Sequence, residues 1–142
     1  QILDWLFLDT DATYTDAKSL ENIKGEDFIP LAPEVTVAGG IAITNLGKFS
    51  GGLRYRYLGD RAANEDNTIV AEGYFVTDLN LNYQVNQQLS LGVAIENLFD
   101  VEWNETQFAT ESRLQNEVTS VEEIHFTPGT PFFAKATLSY RF

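Results

Sequence analysis

Two arginines, Arg54 and Arg56, are the first candidates for binding a charged group in this chain of 142 residues. They stand two positions apart in a segment that alternates apolar and polar residues, so on a β-strand both side chains would lie on one face. Four polar residues share that face on neighbouring predicted strands: Asp78, Asn80, Asn82 and Glu96. Because guanidinium groups bind carboxylates in a bidentate geometry, the pair could contact an anionic substrate or another part of the protein. Structural ion pairs within a sheet are the more common use of such residues.

The longest predicted loop, about residues 100–130, contains three aromatic residues, Trp103, Phe108 and Phe126, and the only histidine, His125. The aromatic rings could stack on a chelate or a sugar, although packing of one loop against another is the commoner use of such rings. The candidate ligand-binding residues are therefore Arg54, Arg56, Trp103, Phe108 and His125.

His125 also lies close in sequence to partners for metal binding or catalysis. Glu122 and Glu123 precede it, and two carboxylates with one imidazole could bind a divalent cation. Ser120 could act as a nucleophile with His125 as its base. A single histidine in one segment is a weak signal for either chemistry, and no pattern positions Ser120. The sequence thus predicts no metal site, no catalytic residue and no cofactor, and we do not expect an enzyme.

Composition excludes several other classes of protein. The chain has no Cys, which rules out disulfides, thiol nucleophiles and thiolate metal sites in this stretch. The net charge is -12, and the nine Lys and Arg residues are scattered singly, which argues against binding to nucleic acid. The apolar runs, such as residues 5–8, are too short for a transmembrane helix.

Six segments alternate apolar and polar residues, as β-strands with two different faces do. Their approximate limits are residues 3–15, 34–45, 48–60, 74–84, 88–98 and 131–142. In the last segment the apolar residues Phe132, Ala134, Ala136, Leu138, Tyr140 and Phe142 fall on one face. About ten residues of such alternation let a tilted strand cross a bilayer. The pattern predicts an all-β fold, an antiparallel transmembrane barrel segment.

The connections between these segments alternate between long and short. Long loops at about 16–33, 61–73 and 100–130 alternate with short turns at 45–48 and 85–88. In an antiparallel sheet, alternate connections lie at opposite ends, as in outer-membrane barrels with short periplasmic turns and long extracellular loops. We expect both Gln1 and Phe142 on the periplasmic side. A short helical turn within 16–33 is also compatible with the sequence.

The long loops carry fourteen of the 21 acidic residues, namely four, three and seven in chain order. A negatively charged surface formed by these loops would favour cationic or metal-bearing ligands over anionic ones. Solubility, or divalent cations that bridge the loops to lipopolysaccharide, explains the acidic residues equally well.

Six strands are too few for a closed barrel, because small membrane barrels have about eight. An open sheet would leave unpaired backbone groups in hydrocarbon, which is costly. The chain also lacks Met and begins within an alternating segment, so we expect it to be the carboxyl-terminal part of a larger barrel, paired with upstream strands. The alternative is an eight-stranded barrel with two further strands within residues 107–125, but that stretch is rich in Glu and is poor strand material. A soluble β-sandwich would not sort loop length by end.

Three sequence motifs, in this order and spacing, resemble the carboxyl-terminal β-barrel portion of a TonB-dependent outer-membrane receptor. They are residues 53–60 (LRYRYLGD), residues 95–100 (IENLFD) with Trp103 and Asn104, and the terminal strand 135–142 (KATLSYRF). Within the second motif, we expect residues 97–100 to shape the exit of the strand rather than to do chemistry.

The resemblance implies a 22-stranded barrel with a plugged lumen. Such a receptor would bind a scarce nutrient, such as a siderophore, metal chelate, cobalamin or glycan, and import it actively. Its implied partners are the upstream strands and plug of the same protein, TonB through an upstream segment, and outer-membrane lipid. Tyr140 and Phe142 would be a signal for the barrel-assembly machinery, or an interfacial anchor. A passive outer-membrane pore or a structural barrel is the alternative function.

Overall fold

Ten β-strands form the regular structure of the residues that the computed structural model describes, which are 2–21, 23 and 25–142. They are β1 (Leu6–Tyr14), β2 (Val35–Leu46), β3 (Phe49–Leu58), β4 (Arg61–Ala62), β5 (Val70–Ala71), β6 (Tyr74–Gln84), β7 (Leu89–Glu96), β8 (Asn104–Ser112), β9 (Val121–Pro128) and β10 (Phe133–Tyr140). Among these described residues there is no helix long and apolar enough to cross a membrane.

The main sheet has six antiparallel strands in the order β1-β2-β3-β6-β7-β10. These strands overlap the six segments of alternating residues, and the ends differ by at most three residues. Gln1 lies outside the described residues.

The strand register collects the apolar side chains of all six strands on one face, here called the apolar face. One row of directly opposed residues crosses the whole sheet: Leu8, Ile41, Leu53, Leu79, Ile95 and Ala134. Large side chains of this face are exposed, with 68% of Leu138 and 43% of Ile41 accessible. Such a surface is suited to lipid rather than to water.

The opposite face, here called the polar face, carries the charged residues of the same strands. Its members include Asp9, Asp11, Arg54, Arg56, Asp78, Asn80, Glu96 and Lys135. Because neighbours in a strand point to opposite sides, the register that groups the apolar residues also groups these.

The two short turns have local sequences that favour them. At the turn between β2 and β3, Asn45 near the end of β2 and Gly47 in the turn have φ angles of 55° and 62°, a conformation that Asn and Gly adopt most readily. In the turn between β6 and β7, the side-chain oxygen of Asn86 accepts hydrogen bonds from the backbone N–H groups of Gln88 and Leu89. Both turns therefore return the chain directly to the sheet.

The expectation of an irregular loop across residues 107–125 is wrong, because β8 and β9 form an antiparallel hairpin there. Both faces of the hairpin are largely solvated, so its Glu residues do not oppose strand formation, and backbone pairing holds it together. The hairpin is a separate two-stranded sheet, so it does not add two strands to the main sheet as the eight-stranded alternative required. In the described part of residues 16–33, an isolated bridge between Lys18 and Phe28 replaces the helical turn.

The buried core lies at the long-loop end of the molecule. It includes Ala62, Ala63, Ala71, Val76, Thr77, Asn97 and Gln107. The loops also bond to one another: the backbone N–H of Leu31 donates to the carbonyl of Ala62 over 2.8 Å. The long loops thus pack into one layer over the end of the sheet.

Gln107 connects the hairpin to this layer. Its side-chain Nε2 donates to the carbonyl of Glu72 over 2.7 Å, and its Oε1 accepts from the N–H of Glu72 over 3.0 Å. We expect Gln107→Leu to leave both backbone groups of Glu72 without partners, at a cost of about 1 to 3 kcal/mol. Faster amide hydrogen exchange at Glu72 would show this loss, whereas Thr106→Ala, an exposed neighbour, should leave that rate unchanged. An unchanged rate at Glu72 in Gln107→Leu would contradict the expectation.

Candidate functional site

Arg54 and Arg56 lie on the polar face near the long-loop end of β3, and both side chains are exposed. Arg54 is directly opposite Asp78 on β6, and the Nη2 atom of Arg56 lies 3.9 Å from Oδ2 of Asp78. Arg56 is about half exposed and Asp78 about one-third exposed, so this ion pair is partly screened by solvent. It therefore contributes little to stability.

Trp103 comes from the segment before β8 and lies against Arg56. The guanidinium carbon of Arg56 is 5.4 Å from the centroid of the Trp103 rings, a cation–π distance. The indole Nε1 donates to the carbonyl of Thr130 over 3.0 Å, and Tyr74 packs on the ring at 4.7 Å. The ring also lies directly on Gly129, where any Cβ would overlap it. Thr130, Tyr74 and Gly129 therefore hold Trp103 in one orientation beside Arg56.

Asn97 anchors the start and the end of the long loop to the sheet. It is 1% exposed and has a φ angle of 49°. Its side chain donates to the carbonyls of Val101 (2.8 Å) and Thr130 (3.1 Å) and accepts from the N–H of Val101 (2.9 Å). Its own backbone N–H donates to Oδ1 of Asp78 over 3.0 Å.

These contacts form a closed ring of interactions that links the polar face to the base of the loop. The ring runs through Arg56, Asp78, Asn97, Thr130 and Trp103, and back to Arg56. Asp100 adds a parallel link, since its Oδ1 accepts from the N–H of Phe132 over 3.0 Å. The expectation that residues 97–100 shape the strand exit agrees with this arrangement. Sequence reasoning missed the burial of Asn97, and the only signal was an Asn at a strand end, where left-handed backbone is common.

The ring borders a cavity of about 330 Å³ on the polar face. Arg54, Arg56 and Trp103 all line it, together with Asp78, Glu96 and Glu105. The structure therefore brings together three of the five predicted ligand-binding residues. The arrangement of guanidinium groups beside an indole ring can bind an anionic or aromatic group.

Phe108 and His125 are together elsewhere, as a directly opposed pair of the β8–β9 hairpin. Their rings stack with centroids 5.8 Å apart and planes 21° apart. Neither residue lines the cavity of Arg56 and Trp103. They form a second small surface on the hairpin.

The metal site and the catalytic pair considered for His125 are not supported by the hairpin geometry. Glu123 and His125 share one face, with Oε1 and Nε2 atoms 3.8 Å apart, but Glu122 points to the other face, where Asn64 donates to it. Ser120 donates to Glu111 instead of His125. Within the described ranges, no group of three or more His, Cys, Asp or Glu residues could hold a metal ion.

The acidic residues of different loops converge at the long-loop end. Glu26, Glu65, Asp66 and Glu122 line one cavity of about 460 Å³. Hydrogen bonds from the hydroxyl and the N–H of Thr68 lower the pKa of the Asp66 carboxyl, so it keeps its charge to lower pH. This end of the molecule is therefore strongly negative.

At the opposite end, Tyr140 and Phe142 pack edge to face with ring centroids 5.2 Å apart. Phe49 and Tyr83 form another aromatic pair at this end, at 4.7 Å. Aromatic residues thus border the apolar face where the short turns lie.

Comparison with known proteins places this architecture in a family. The profile described as "TonB dependent receptor-like, beta-barrel" matches residues 2–98, more than half of the chain. No curated protein matches the sequence significantly.

Several solved structures share the fold. The ferric-catecholate import receptor Fiu from K12 E. coli is 22% identical with a TM-score of 0.67, over 99% of this chain and 19% of that one. The siderophore receptor PiuA from Acinetobacter baumannii is 18% identical with a TM-score of 0.71, over 98% and 20%. The ferric yersiniabactin uptake receptor FyuA from Yersinia pestis is 15% identical with a TM-score of 0.66, over 100% and 22%.

The chain spans about a fifth of the length of these structures. The profile match, the antiparallel sheet with one apolar face and the shared fold agree with one another. The chain belongs to the TonB-dependent receptor family, as a portion of its β-barrel.

Proposed function

We propose that this chain forms the last six strands of a 22-stranded outer-membrane receptor that binds a scarce nutrient and imports it with energy transmitted through TonB. Family membership and the cavity bordered by Arg54, Arg56 and Trp103 support this proposal. The six-stranded sheet has two edge strands, β1 and β10, whose outer backbone groups need partners in a bilayer. Upstream strands of the same protein would supply them.

In this proposal the apolar face contacts outer-membrane lipid and the polar face lines the lumen. The short turns and Phe142 lie in the periplasm, and the acidic loops lie at the cell surface, where divalent cations can bridge them to lipopolysaccharide. A plug upstream in the sequence fills the lumen, and an upstream segment contacts TonB. The aromatic residues Tyr140 and Phe142 interact with the barrel-assembly machinery.

The nutrient is a metal chelate in this proposal. The similar structures include import proteins for ferric catecholate, ferric yersiniabactin and ferric citrate, and a copper transporter. Catecholates and carboxylates are anionic and fit the guanidinium groups of Arg54 and Arg56, while Trp103 can stack on planar groups. Phe108 and His125 on the hairpin make the outer contacts with the ligand. Cobalamin and glycan fragments are the other substrate classes that the family suggests.

The test is uptake by the full-length protein in cells grown with one metal chelate as the only iron source. Trp103→Ala removes the stacking surface and should weaken chelate binding by about 1 to 3 kcal/mol. Titration of the purified receptor with the same chelate would measure this loss. The control is Phe99→Ala, because Phe99 is 65% exposed and does not line the cavity.

Dependence on TonB separates active import from a passive pore. Uptake that stops when TonB is deleted is the expected result. Uptake that continues without TonB, or that is equal for Trp103→Ala and Phe99→Ala, would contradict the proposal.

A further inference from the structure

Two tyrosines on the apolar face of β3, Tyr55 and Tyr57, direct their hydroxyl groups differently. The hydroxyl of Tyr55 lies 2.7 Å from Oγ1 of Thr10 on β1, and its side chain crosses β2 above Gly39, which is directly opposite both residues. A Cβ atom on Gly39 would lie 2.6 Å from Oη of Tyr55, so only glycine leaves room for this crossing. Tyr55 therefore connects three strands on the apolar face.

The hydrogen bonds of this contact leave no free donor. Oγ1 of Thr10 donates to the backbone carbonyl of Asp9 over 2.8 Å. Because a hydroxyl group has one proton, Tyr55 must be the donor in its bond to Thr10. Both hydroxyl protons are thus bonded within the protein, as hydrocarbon requires of polar groups that water does not reach.

Tyr57 differs from Tyr55 in the direction and the environment of its side chain. Its hydroxyl would lie 3.7 Å from a Cβ atom on Gly59, which is two residues nearer to the long loops, and 38% of Tyr57 is exposed. Among the residues that the structure describes, only Tyr55 of the two has a hydrogen-bond partner for its hydroxyl. The hydroxyl of Tyr57 therefore needs water or a lipid headgroup as its partner.

The length of β3 decides which of the two tyrosines lies at the outer limit of the hydrocarbon. At the short-turn end this limit lies at Phe49, since the charged Lys48 comes directly before it. Phe49 is six residues from Tyr55 and eight residues from Tyr57. At about 3.4 Å per residue and a tilt of about 40°, these lengths cover about 16 Å and about 21 Å of membrane. The apolar band of outer-membrane barrels is about 25 Å tall, so a limit at Tyr55 would make the band too short.

We propose that the outer limit of the hydrocarbon crosses β3 between Tyr55 and Tyr57, so that lipid acyl chains surround the Tyr55–Thr10 hydrogen bond and Tyr57 lies among the headgroups. This inference rests on the proposed function only in placing the apolar face in lipid. The contact lies on the opposite side of the sheet from the lumen, so it does not depend on the plug or on the cavity of Arg56 and Trp103.

The first experiment measures the depth of β3 with a water-soluble maleimide on the full-length receptor in outer membranes. The single-cysteine variants Leu53→Cys and Tyr57→Cys place thiols on the same face of the strand, on the short-turn side and the long-loop side of the proposed limit. A maleimide reacts with the thiolate, which does not form in hydrocarbon, so Tyr57→Cys should react at least about tenfold faster than Leu53→Cys. Slow reaction at both positions would overturn this inference alone, because the limit would then lie beyond Tyr57. Rapid reaction at both positions would contradict the proposed function as well, because the apolar face would then not lie in lipid.

The second experiment tests the hydrogen bond through the rate at which the full-length receptor unfolds in urea after reconstitution into phosphatidylcholine vesicles. Tyr55→Phe and Thr10→Val each remove the bond, so each should speed unfolding by about two- to tenfold, and the double variant should unfold no faster than Thr10→Val alone. Tyr57→Phe is the matched control, since it removes a hydroxyl that bonds to water or headgroups, and it should leave the rate unchanged. Equal effects of Tyr55→Phe and Tyr57→Phe, or no effect of Tyr55→Phe, would overturn the proposal, because the Tyr55 hydroxyl would then also bond to solvent.

Discussion

Replacing Leu138 by Arg should reduce the amount of receptor that inserts into the outer membrane, whereas Thr137→Arg should be tolerated. Leu138 is on the apolar face of β10, directly opposite Leu91 and 68% exposed, so an arginine there would face hydrocarbon. Thr137 is the adjacent residue and lies on the polar face opposite Gly92, where a long side chain can extend into the lumen. A lipid-facing arginine near the bilayer midplane costs about 2 to 4 kcal/mol.

The measurement is the fraction of full-length protein that reaches the outer membrane in a heat-modifiable, folded form. Because the two substitutions add the same side chain at adjacent positions, they differ only in the face that receives it. Equal insertion of the two variants would contradict the assignment of the apolar face to lipid. Loss of insertion in Thr137→Arg alone would show that the two faces are reversed.

The main sheet could be predicted from sequence because each of its strands has one apolar face. Alternation with period two is a local property, and it reports which face each residue takes. The alternation therefore assigns neighbours such as Leu53 and Arg54 to opposite faces without knowledge of the register. The need to place all apolar faces on the same side of the sheet then restricts the register to shifts of an even number of residues.

The β8–β9 hairpin could not be predicted in the same way. Its strands are solvated on both sides, so Glu111, Glu122 and Glu123 interrupt any alternation. Backbone pairing across the hairpin holds it, and the hydrogen bonds between Gln107 and Glu72 join it to the rest. Contacts of this kind depend on residues that are 35 positions apart and leave no local pattern.

Only part of the candidate site could be predicted from sequence, because some of its contacts join residues that are far apart in the chain. Arg54 and Arg56 were found because they share a strand face, and Trp103 because a large aromatic residue in a polar loop is conspicuous. That Trp103 meets Arg56 depends on Asn97 and Thr130, which bring the start and the end of the loop together. Sequence spacing does not encode that closure, and it assigned Phe108 and His125 to the same site although they form a separate pair on the hairpin.

Replacing Asn97 by Ala should release the base of the long loop. The buried amide makes three hydrogen bonds to Val101 and Thr130, and its loss would leave their backbone groups without these partners. We expect the free energy of local opening to fall by about 2 to 4 kcal/mol, at about 1 kcal/mol for each hydrogen bond with a further penalty for the unpaired buried groups. Alanine also tolerates the positive φ angle of this position less well than asparagine does.

Hydrogen exchange of the purified full-length receptor would test this, with the amide of Val101 as the readout. Asn97→Gly separates the two causes, because glycine accepts the backbone angle and lacks the amide. If exchange at Val101 increases by a similar, large factor in Asn97→Ala and Asn97→Gly, the effect comes from the lost hydrogen bonds. Asn82→Ala is the control, because Asn82 is an exposed residue on the polar face, and it should leave the exchange rate of Val101 unchanged. If Asn97→Gly exchanged like the unaltered protein, the side chain would not hold the loop, and Thr130, Gly129 and Tyr74 would position Trp103 beside Arg56 without it. Since Asp78 contacts both Asn97 and Arg56, a released loop should also weaken the binding of any ligand that needs the Arg56 and Trp103 pair.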